Sequence, residues 1–366
     1  MSNLQENLTD RQTGIDLLEC IAIFLVIMYH GTLYASNILE EASALRFGRY
    51  LFRTLLSPCV PLFFFANGYL LFSRELNLKK HLIKTMKLIV LAGVWGLGKI
   101  FILMPIKKEY LSFLEIVKTL WSWKEGWINS LWFLGALVCI YILFPLLKLA
   151  YDTNKQVFGY FIVSCAVLTF GNVLLNECGT AFLTLVLHKN ITLEGLNFFN
   201  IFNPFRGMHG YSLVYFCVGG YAYQYKSRLE SVKPAKRNTI CITAMAACCV
   251  LLWGVGICYS KASNTMWDIV WNGYDTVFTF VNVLCIFVLC LGHTRDSKLI
   301  RTISCNTLGI YFLHEIFIQL TKKKILTYAV LCNIPCNLIY SLFILFGSLI
   351  ITLLMKKTPI LKYLVS

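Results

Sequence analysis

The stretch TICITAMAACCVLLWGVGICY, residues 239–259, runs for 21 residues without a charged side chain. An α-helix needs about 20 consecutive apolar residues to cross the hydrocarbon core of a bilayer. Similar apolar runs recur on both sides of this stretch, separated by short polar connections. In a bilayer only helices and closed barrels satisfy every backbone hydrogen bond, and runs of this length fit helices. The repeated runs therefore predict a protein built of membrane-crossing helices.

Ten such spans are predicted from the length and apolar content of the runs. They are residues 15–34, 50–72, 82–104, 131–150, 157–175, 211–225, 239–259, 269–292, 303–320 and 333–355. One further apolar stretch, residues 181–187, is too short to cross and is interpreted as a re-entrant or interfacial segment. The predicted fold is an all-α polytopic transmembrane bundle with one membrane domain (15–355) between two short tails (1–14 and 356–366).

Composition and charge fit this fold. Only 14% of the residues are charged and 58% are apolar, with a mean hydropathy of +0.67, whereas soluble domains carry roughly 25% charged residues. The net charge of +15 lies mostly in the connections, so it indicates contact with anionic lipid headgroups or an anionic ligand, not nucleic acid. The 15 cysteines form no CxxC pair, and no metal site is predicted.

The orientation is predicted from Lys and Arg in the loops, which are enriched on the cytoplasmic side of membrane proteins. With ten spans both termini lie on one side, and the loops of that side carry the larger share of basic residues. The first 14 residues are polar and lack the apolar core of a signal peptide, so the first span is expected to be retained. The sequence thus predicts a multi-pass cell-membrane protein with both termini in the cytoplasm.

Two histidines fall inside predicted spans, where ionisable side chains usually have a function because they are costly to place in lipid. His30 lies ~22 Å along span one and His314 lies ~16 Å along span nine, at 1.5 Å per residue. Both spans run outward, so the two rings are expected at similar depth. Glu315 follows His314 directly. We interpret His30, His314 and Glu315 as candidate catalytic residues, the alternative being packed or interfacial histidines.

The start of span three carries a cluster of basic residues, here called the basic foot: Lys80, His81, Lys84 and Lys87. Spacings of three and four place these side chains on one face of a helix. Lysine ammonium groups bind phosphoryl oxygens as mobile point charges, so the basic foot is a candidate site for a phosphate-bearing ligand. Ordinary anchoring of the helix by lysines at the membrane surface is the alternative interpretation.

Span two contains Pro58 and Pro61, which are expected to break its helix near the middle. A broken helix exposes backbone polar groups, which membranes tolerate only against protein or a polar cavity. Asn67 lies below the break and Arg53 above it, and both are candidates to line a substrate site or pore.

Five further residues are candidate substrate or pore residues. Asp16 and Glu19 share one face at the start of span one, and Trp132, Arg206 and His209 lie on the predicted outer side. Tryptophans at this depth also belong to the aromatic belt of membrane proteins, so composition alone does not separate a carbohydrate platform from a belt.

Several motifs occur together in an order that is typical of one family. They are GIDLLECIAIFLVIMYH (14–30), VPLFFFANGYLLF (60–72), the basic foot, SLWFLGALVCIYILFPLL (130–147), YFCVGGY (215–221) and LGIYFLHEIF (308–317). In this the chain resembles the acyltransferase-3 family of polytopic membrane acyltransferases, which O-acylate cell-surface glycans, lipopolysaccharide, peptidoglycan and related acceptors. The resemblance covers essentially the whole chain.

The resemblance implies that His30 is the essential histidine of span one. It also implies that the basic foot holds acyl-CoA, typically acetyl-CoA, as a co-substrate on the cytoplasmic side, with no tightly bound cofactor. The acceptor it implies is a glycan or glycolipid. The chain departs from the family pattern in having Glu19 where a basic residue is usual, lysines in the basic foot in place of arginines, and Asn67 in place of serine.

The mechanistic hypothesis follows from these residues. His30 acts as general base on the acceptor hydroxyl, or accepts the acyl group transiently, while His314 or Glu315 orients the imidazole or holds the acceptor. The main alternative is a transporter of an amino acid or polysaccharide, in which His30 and the broken span two would line a permeation path. A sensor or partner-binding membrane subunit is a third possibility.

Overall fold

A computed structural model describes residues 12–31, 37–40, 43–122, 126–193, 210–325 and 333–365, with side chains throughout except at 322–325. The described residues are helical and contain no β-strand. The helices are α1 (Thr13–Gly31), α2 (Ala44–Thr54), α3 (Cys59–Phe72), α4 (Leu78–Lys107), α5 (Phe113–Ser122), α6 (Trp132–Thr153), α7 (Lys155–Ala166), α8 (Asn172–Leu185), α9 (Gly210–Glu230), α10 (Pro234–Ser263), α11 (Val277–Leu291), α12 (Lys298–Ser304), α13 (Thr307–Ile325) and α14 (Ile334–Lys357).

Seven helical segments in the described part of the chain are long and apolar enough to cross a membrane. They are α1, α2 with α3, α4, α6 with the 3₁₀ turn before it, α7 with α8, α10 and α14. The other three predicted spans correspond to α9, α11 and α13, each of which is shorter or less apolar. The predicted all-α polytopic bundle is confirmed.

Two predicted boundaries are wrong. The stretch 181–187 does not form a separate segment, because α7, a π-helical turn (Val167–Gly171) and α8 make one helical run to Leu185. Polar residues such as Asn176 and Glu177, which end the apolar run in the sequence, are buried against the bundle and leave the helix intact. Span eight begins at Val277 and not at residue 269, because turns precede it and the Thr276 side chain caps the helix.

Span two is broken, as its prolines predict. α2 ends at Thr54, turns follow, and α3 begins at Cys59. Pro58 and Pro61 lie at the cap and in the first turn of α3, where a missing backbone N–H leaves no hydrogen bond unmade. The break lies near the far end of α1, because Arg53 of α2 and Tyr29 of α1 both donate to Asp268.

α1 lies at the centre of the bundle and packs against α3, α11, α12, α13 and α14. We call the end of the bundle at which α1 begins the near end, and the opposite end the far end. Most apolar residues of α1 are buried, including Leu18, Ala22, Ile23 and Ile27 at 0% exposure. Surrounded in this way, the last turn of α1 holds His30 in a fixed position in the far half of the bundle.

α3 and α9 pack with their backbones in contact. A Cβ atom at Gly68 would lie 1.8 Å from the carbonyl oxygen of Phe216, and one at Gly219 would lie 2.2 Å from that of Phe65. Small residues allow such close approach of membrane helices, whose association depends on van der Waals packing. The glycines therefore fix the distance between α3 and α9.

We expect Gly68→Ala to destabilise the protein by at least about 1–3 kcal/mol, because α3 and α9 must separate to accept the methyl group. Gly98→Ala in α4 is the matched control, since a Cβ there meets nothing within 4 Å and alanine is the better helix former. Thermal unfolding of both purified variants in detergent measures the difference. Equal unfolding temperatures for the two variants would contradict the close α3–α9 contact.

Candidate active site

His30 and His314 lie side by side. Their ring centroids are 5.2 Å apart and the ring planes are inclined by 78°. His30 is in the last turn of α1 and is half-buried, whereas His314 lies midway along α13 and is only 1% exposed. We call these two residues the histidine pair. The packing of α13 against α1 brings them together.

The hydrogen bonds of His314 determine its tautomer. Its Nδ1 lies 2.6 Å from the carbonyl oxygen of Tyr311 and 3.3 Å from that of Ile310. Carbonyl oxygens only accept hydrogen bonds, so Nδ1 carries the proton and donates it. In the neutral ring Nε2 is then an unprotonated acceptor, and it has no hydrogen-bond partner among the described residues. A buried, free imidazole nitrogen can accept a proton or orient a neighbouring N–H group.

A buried ion pair lies next to the histidine pair. The Nζ atom of Lys99 is 2.5 Å from a carboxylate oxygen of Glu315 and 2.6 Å from Oγ of Ser130, to both of which it donates. Lys99 is 3% exposed and Glu315 19%. The Tyr311 hydroxyl donates to the backbone carbonyl of Ser130. This network joins α4, the start of α6 and α13, and Lys99 and Glu315 are among the charges that act on His30.

On the other side of His30 a second ion pair holds the far end of α1. Asp268 accepts hydrogen bonds of 2.8 Å from Arg53 and 2.8 Å from the Tyr29 hydroxyl. The Tyr29 ring lies 5.3 Å from the His30 ring. Arg53, a predicted substrate or pore residue, is 3% exposed. Through Asp268, Arg53 connects the α2–α3 break with the loop before α11 and with Tyr29 of α1. This contact helps to position His30.

A cavity extends from the near end of the bundle towards the histidine pair, and we call it the near cavity. It contains about 790 Å³ of empty space, part of it open to the surroundings. Glu19 and Lys84 line its near end, Asn67 and Tyr141 line its wall, and Tyr311 lies at its far end. The Tyr311 ring is 5.9 Å from the ring of His314. The cavity is thus continuous from the basic foot to a residue that touches the histidine pair.

Carboxylates lie opposite the basic foot at the mouth of this cavity. The Ser304 hydroxyl is 2.7 Å from an oxygen of Asp16 and 2.5 Å from an oxygen of Glu19. A hydroxyl has one proton, so it donates to one of the two carboxylates at a time. Glu19 is also close enough to Lys84 to act on its charge. Glu19 therefore places an acid near Lys84 at the cavity mouth.

The four residues of the basic foot do not share one environment. His81 is buried, with Nε2 2.7 Å from the carbonyl oxygen of Tyr141 and its ring against Phe144. Lys80 and Lys87 are exposed and do not line the near cavity. Lys84 lies with its ammonium nitrogen 5.3 Å from the centre of the Tyr141 ring, at the cavity. Of the four residues, Lys84 is the one placed to reach a ligand inside the near cavity.

The remaining predicted residues are distributed as follows. Asn67 donates to the carbonyl of Phe63 and accepts a hydrogen bond of 3.0 Å from Tyr141. Trp132 packs edge-on against Trp271, with ring centroids 5.3 Å apart, at the far end of the bundle. Arg206 and His209 lie outside the described residues.

Sequence reasoning missed two charged residues of this site. Lys99 lies within an apolar run of predicted span three, and the rule that selected His30 also applies to it, because an ionisable residue in a span needs a partner. Asp268 directly precedes the predicted start of span eight, so its position in the sequence is that of an ordinary loop residue. Glu315, the partner of Lys99, and Arg53, the partner of Asp268, are both distant from these residues in the sequence.

Comparison with known families gives one result for this chain. A family model described as an acyltransferase domain, Acyl_transf_3, matches residues 12–357. The match includes the histidine pair, the basic foot and the near cavity. Searches of curated proteins and of solved structures found no match.

Proposed function

The chain belongs to the acyltransferase-3 family, and we propose that it is an O-acetyltransferase that moves an acetyl group from cytoplasmic acetyl-CoA to a hydroxyl of a cell-surface or lipid-linked glycan. Membership makes the chain a membrane acyltransferase and favours an enzyme over a transporter. The observation that carries the finer proposal is the near cavity, which joins Lys84 to Tyr311 beside the histidine pair. In this proposal the near end faces the cytoplasm.

The donor would enter the near cavity from the near end. Lys84 at its mouth would bind a phosphate oxygen, with Lys80 and Lys87 adding positive charge outside. The pantetheine arm would then lie along the cavity wall, where Asn67 and the Tyr141 hydroxyl offer hydrogen bonds to its amides. A mostly apolar cavity with a few polar groups suits this ligand, because its arm is an alkyl chain with two amides. The thioester would reach Tyr311 and the histidine pair.

The transfer step requires one base. His30 would take the proton of the acceptor hydroxyl while its oxygen attacks the thioester carbonyl carbon. The new C–O bond forms, the C–S bond breaks, and CoA leaves as a thiolate that takes the proton back from the His30 imidazolium. Nε2 of His314 would accept a hydrogen bond from the other ring nitrogen of His30 and hold the ring in orientation. The carboxylate of Glu315 lies close enough to favour the imidazolium that forms.

The acceptor would approach from the far end, since the donor occupies the near cavity. The half-buried ring of His30 and the aromatic rings of Trp132 and Trp271 lie on this side. Flat aromatic rings stack against the apolar faces of sugars, which supports a glycan or glycolipid as acceptor. Arg206 and His209 precede α9 on the same side in the sequence and remain candidates for acceptor contact.

We expect Lys84→Ala to raise the KM for acetyl-CoA about tenfold and to leave kcat nearly unchanged, because an ammonium–phosphate contact is worth about 1.5–3 kcal/mol at most. Lys79→Ala is the matched control, since Lys79 is exposed in the first turn of α4 and does not line the near cavity. Initial rates measured against acetyl-CoA concentration compare the two. Equal KM values for both variants would contradict the proposed donor route.

The proposed activity is tested by incubating the purified protein with radiolabelled acetyl-CoA and candidate glycans. Radiolabel bound to a glycan through an alkali-labile ester is the expected product. Accumulation of a solute in proteoliposomes without acetyl-CoA, together with no acyl transfer, would support the transporter instead.

A further inference from the structure

A second cavity lies at the far end of the bundle, between α8, the start of α9, the end of α10 and the turns before α11. We call it the far cavity; it contains about 620 Å³ of empty space, part of it open to the surroundings. It shares no lining residue with the near cavity. The residues that matter for its chemistry are Glu177, Asp275, Tyr211, Tyr259, Trp267 and Trp271.

Glu177 is the unusual residue of the far cavity. It is 1% exposed, and neither of its carboxylate oxygens has a hydrogen-bond partner among the described residues. Carboxylates buried to this extent are normally hydrogen-bonded or paired with a cation, because the loss of hydration is costly. The histidine pair and the lining of the near cavity, which carry the proposed proton transfer and donor binding, share no residue with this cavity. A buried carboxylate that lines a cavity, with no donor among the described residues, therefore points to a ligand that supplies one.

Asp275 adds a second acid to the same cavity. Its charge acts on Glu177, and burial raises the pKa of its carboxyl to about 6. None of the described residues that line the cavity is basic, although the chain as a whole carries a net charge of +15. The far cavity thus places two acidic side chains together in a protein that is otherwise basic.

Aromatic rings form the rest of the wall. The rings of Tyr259 and Trp267 are stacked with centroids 5.4 Å apart and planes inclined by 24°, and Tyr211 and Trp271 line the same space. The face of an aromatic ring carries negative charge density and attracts cations, tryptophan most strongly. Carboxylates and aromatic faces therefore favour the same kind of ligand, one with a positive charge and N–H donors.

We propose that the far cavity binds a primary ammonium group, as carried by an amino sugar or by the ethanolamine headgroup of a lipid. The ammonium would donate to Glu177 and Asp275 while its carbon substituents pack on Tyr259, Trp267 and Trp271. This proposal concerns binding alone and does not depend on the proposed acyl transfer. The cavity also adjoins the acceptor side, because Trp271 is in ring contact with Trp132.

Calorimetric titration of the purified full-length protein in detergent tests this inference. The probes are glucosamine and ethanolamine, with N-acetylglucosamine as the neutral control that keeps the sugar and lacks the charge. We expect glucosamine or ethanolamine to bind at least about tenfold more tightly than N-acetylglucosamine. The stronger of the two amines distinguishes an amino sugar from a lipid headgroup. The proposal is overturned if neither amine binds more tightly than N-acetylglucosamine.

Two variants locate the binding. Glu177→Gln and Asp275→Asn are each expected to weaken amine binding about tenfold or more, because each removes one partner of a buried charge contact. Glu109→Gln, at an exposed acid outside the cavity, is the matched control and should bind as the wild type does. Amine binding that is unchanged in both cavity variants contradicts the site. Should a variant fail to fold, the selectivity of the wild type for amine over acetamide still decides the question.

Discussion

Replacement of His30 by alanine is expected to lower the rate of acyl transfer by about 10²–10⁴-fold, which is the usual contribution of a positioned general base. The expectation rests on the position of the ring in the last turn of α1. It lies 5.2 Å from the ring of His314 and beside Tyr29, which Asp268 holds in place. The measurement is transfer of radiolabel from acetyl-CoA to the glycan and glycolipid fractions of membranes that contain the protein.

His188→Ala is the matched control for this prediction, because His188 is exposed and far along the chain from the histidine pair. The control should retain the wild-type rate. Thermal unfolding of both variants separates loss of catalysis from loss of structure. A folded His30→Ala protein that transfers acetyl groups at the wild-type rate would remove His30 from the mechanism.

Lys99→Met is expected to destabilise the protein by about 3–5 kcal/mol, because it leaves the carboxylate of Glu315 buried without its counter-charge. Lys99 is 3% exposed and donates to both Glu315 and Ser130. Restoring neutrality in the double variant Lys99→Met/Glu315→Leu should recover most of this loss, since apolar residues can replace a buried ion pair at little cost. Thermal unfolding in detergent measures the single and double variants.

A surface ion pair provides the comparison. Lys226 and Glu230 are one helical turn apart with their charged atoms 3.7 Å from each other and side chains 30% and 43% exposed. Lys226→Met should change the free energy of unfolding by no more than about 0.5 kcal/mol, because exposed pairs at this spacing contribute little. If Lys99→Met unfolds at the temperature of Lys226→Met, the buried pair does not support α4 and α13 in the way described.

Most of the fold could be predicted from the sequence, because a segment surrounded by lipid has to satisfy its own backbone hydrogen bonds. A run such as 239–259 has to be a membrane helix, since no other structure satisfies its backbone in lipid. The break in span two was also predictable, because its two closely spaced prolines lack backbone N–H donors and fit best at the start of a helix. One error came where tertiary contacts bury polar residues: Asn176 and Glu177 end an apolar run in the sequence but lie inside a continuous helix.

The site was only partly predictable. The histidine pair could be suspected because both residues are ionisable and lie at similar depth in outward-running spans. The partners of charged residues could not be read from the chain, because Lys99 and Glu315 are separated by 216 positions and Arg53 and Asp268 by 215. Likewise, the sequence spacing of the basic foot put four residues on one face, whereas only Lys84 among them lines the near cavity.

In the proposed mechanism the near cavity carries the acyl donor from the basic foot to the histidine pair. An experimental structure of the protein with CoA bound tests it most directly and needs no knowledge of the acceptor. We predict that a phosphate group lies at Lys84, that the pantetheine arm follows the wall formed by Asn67 and Tyr141, and that the thiol lies beside Tyr311 and His30. A CoA molecule bound elsewhere, with the near cavity empty or filled by lipid, would contradict this route for the donor.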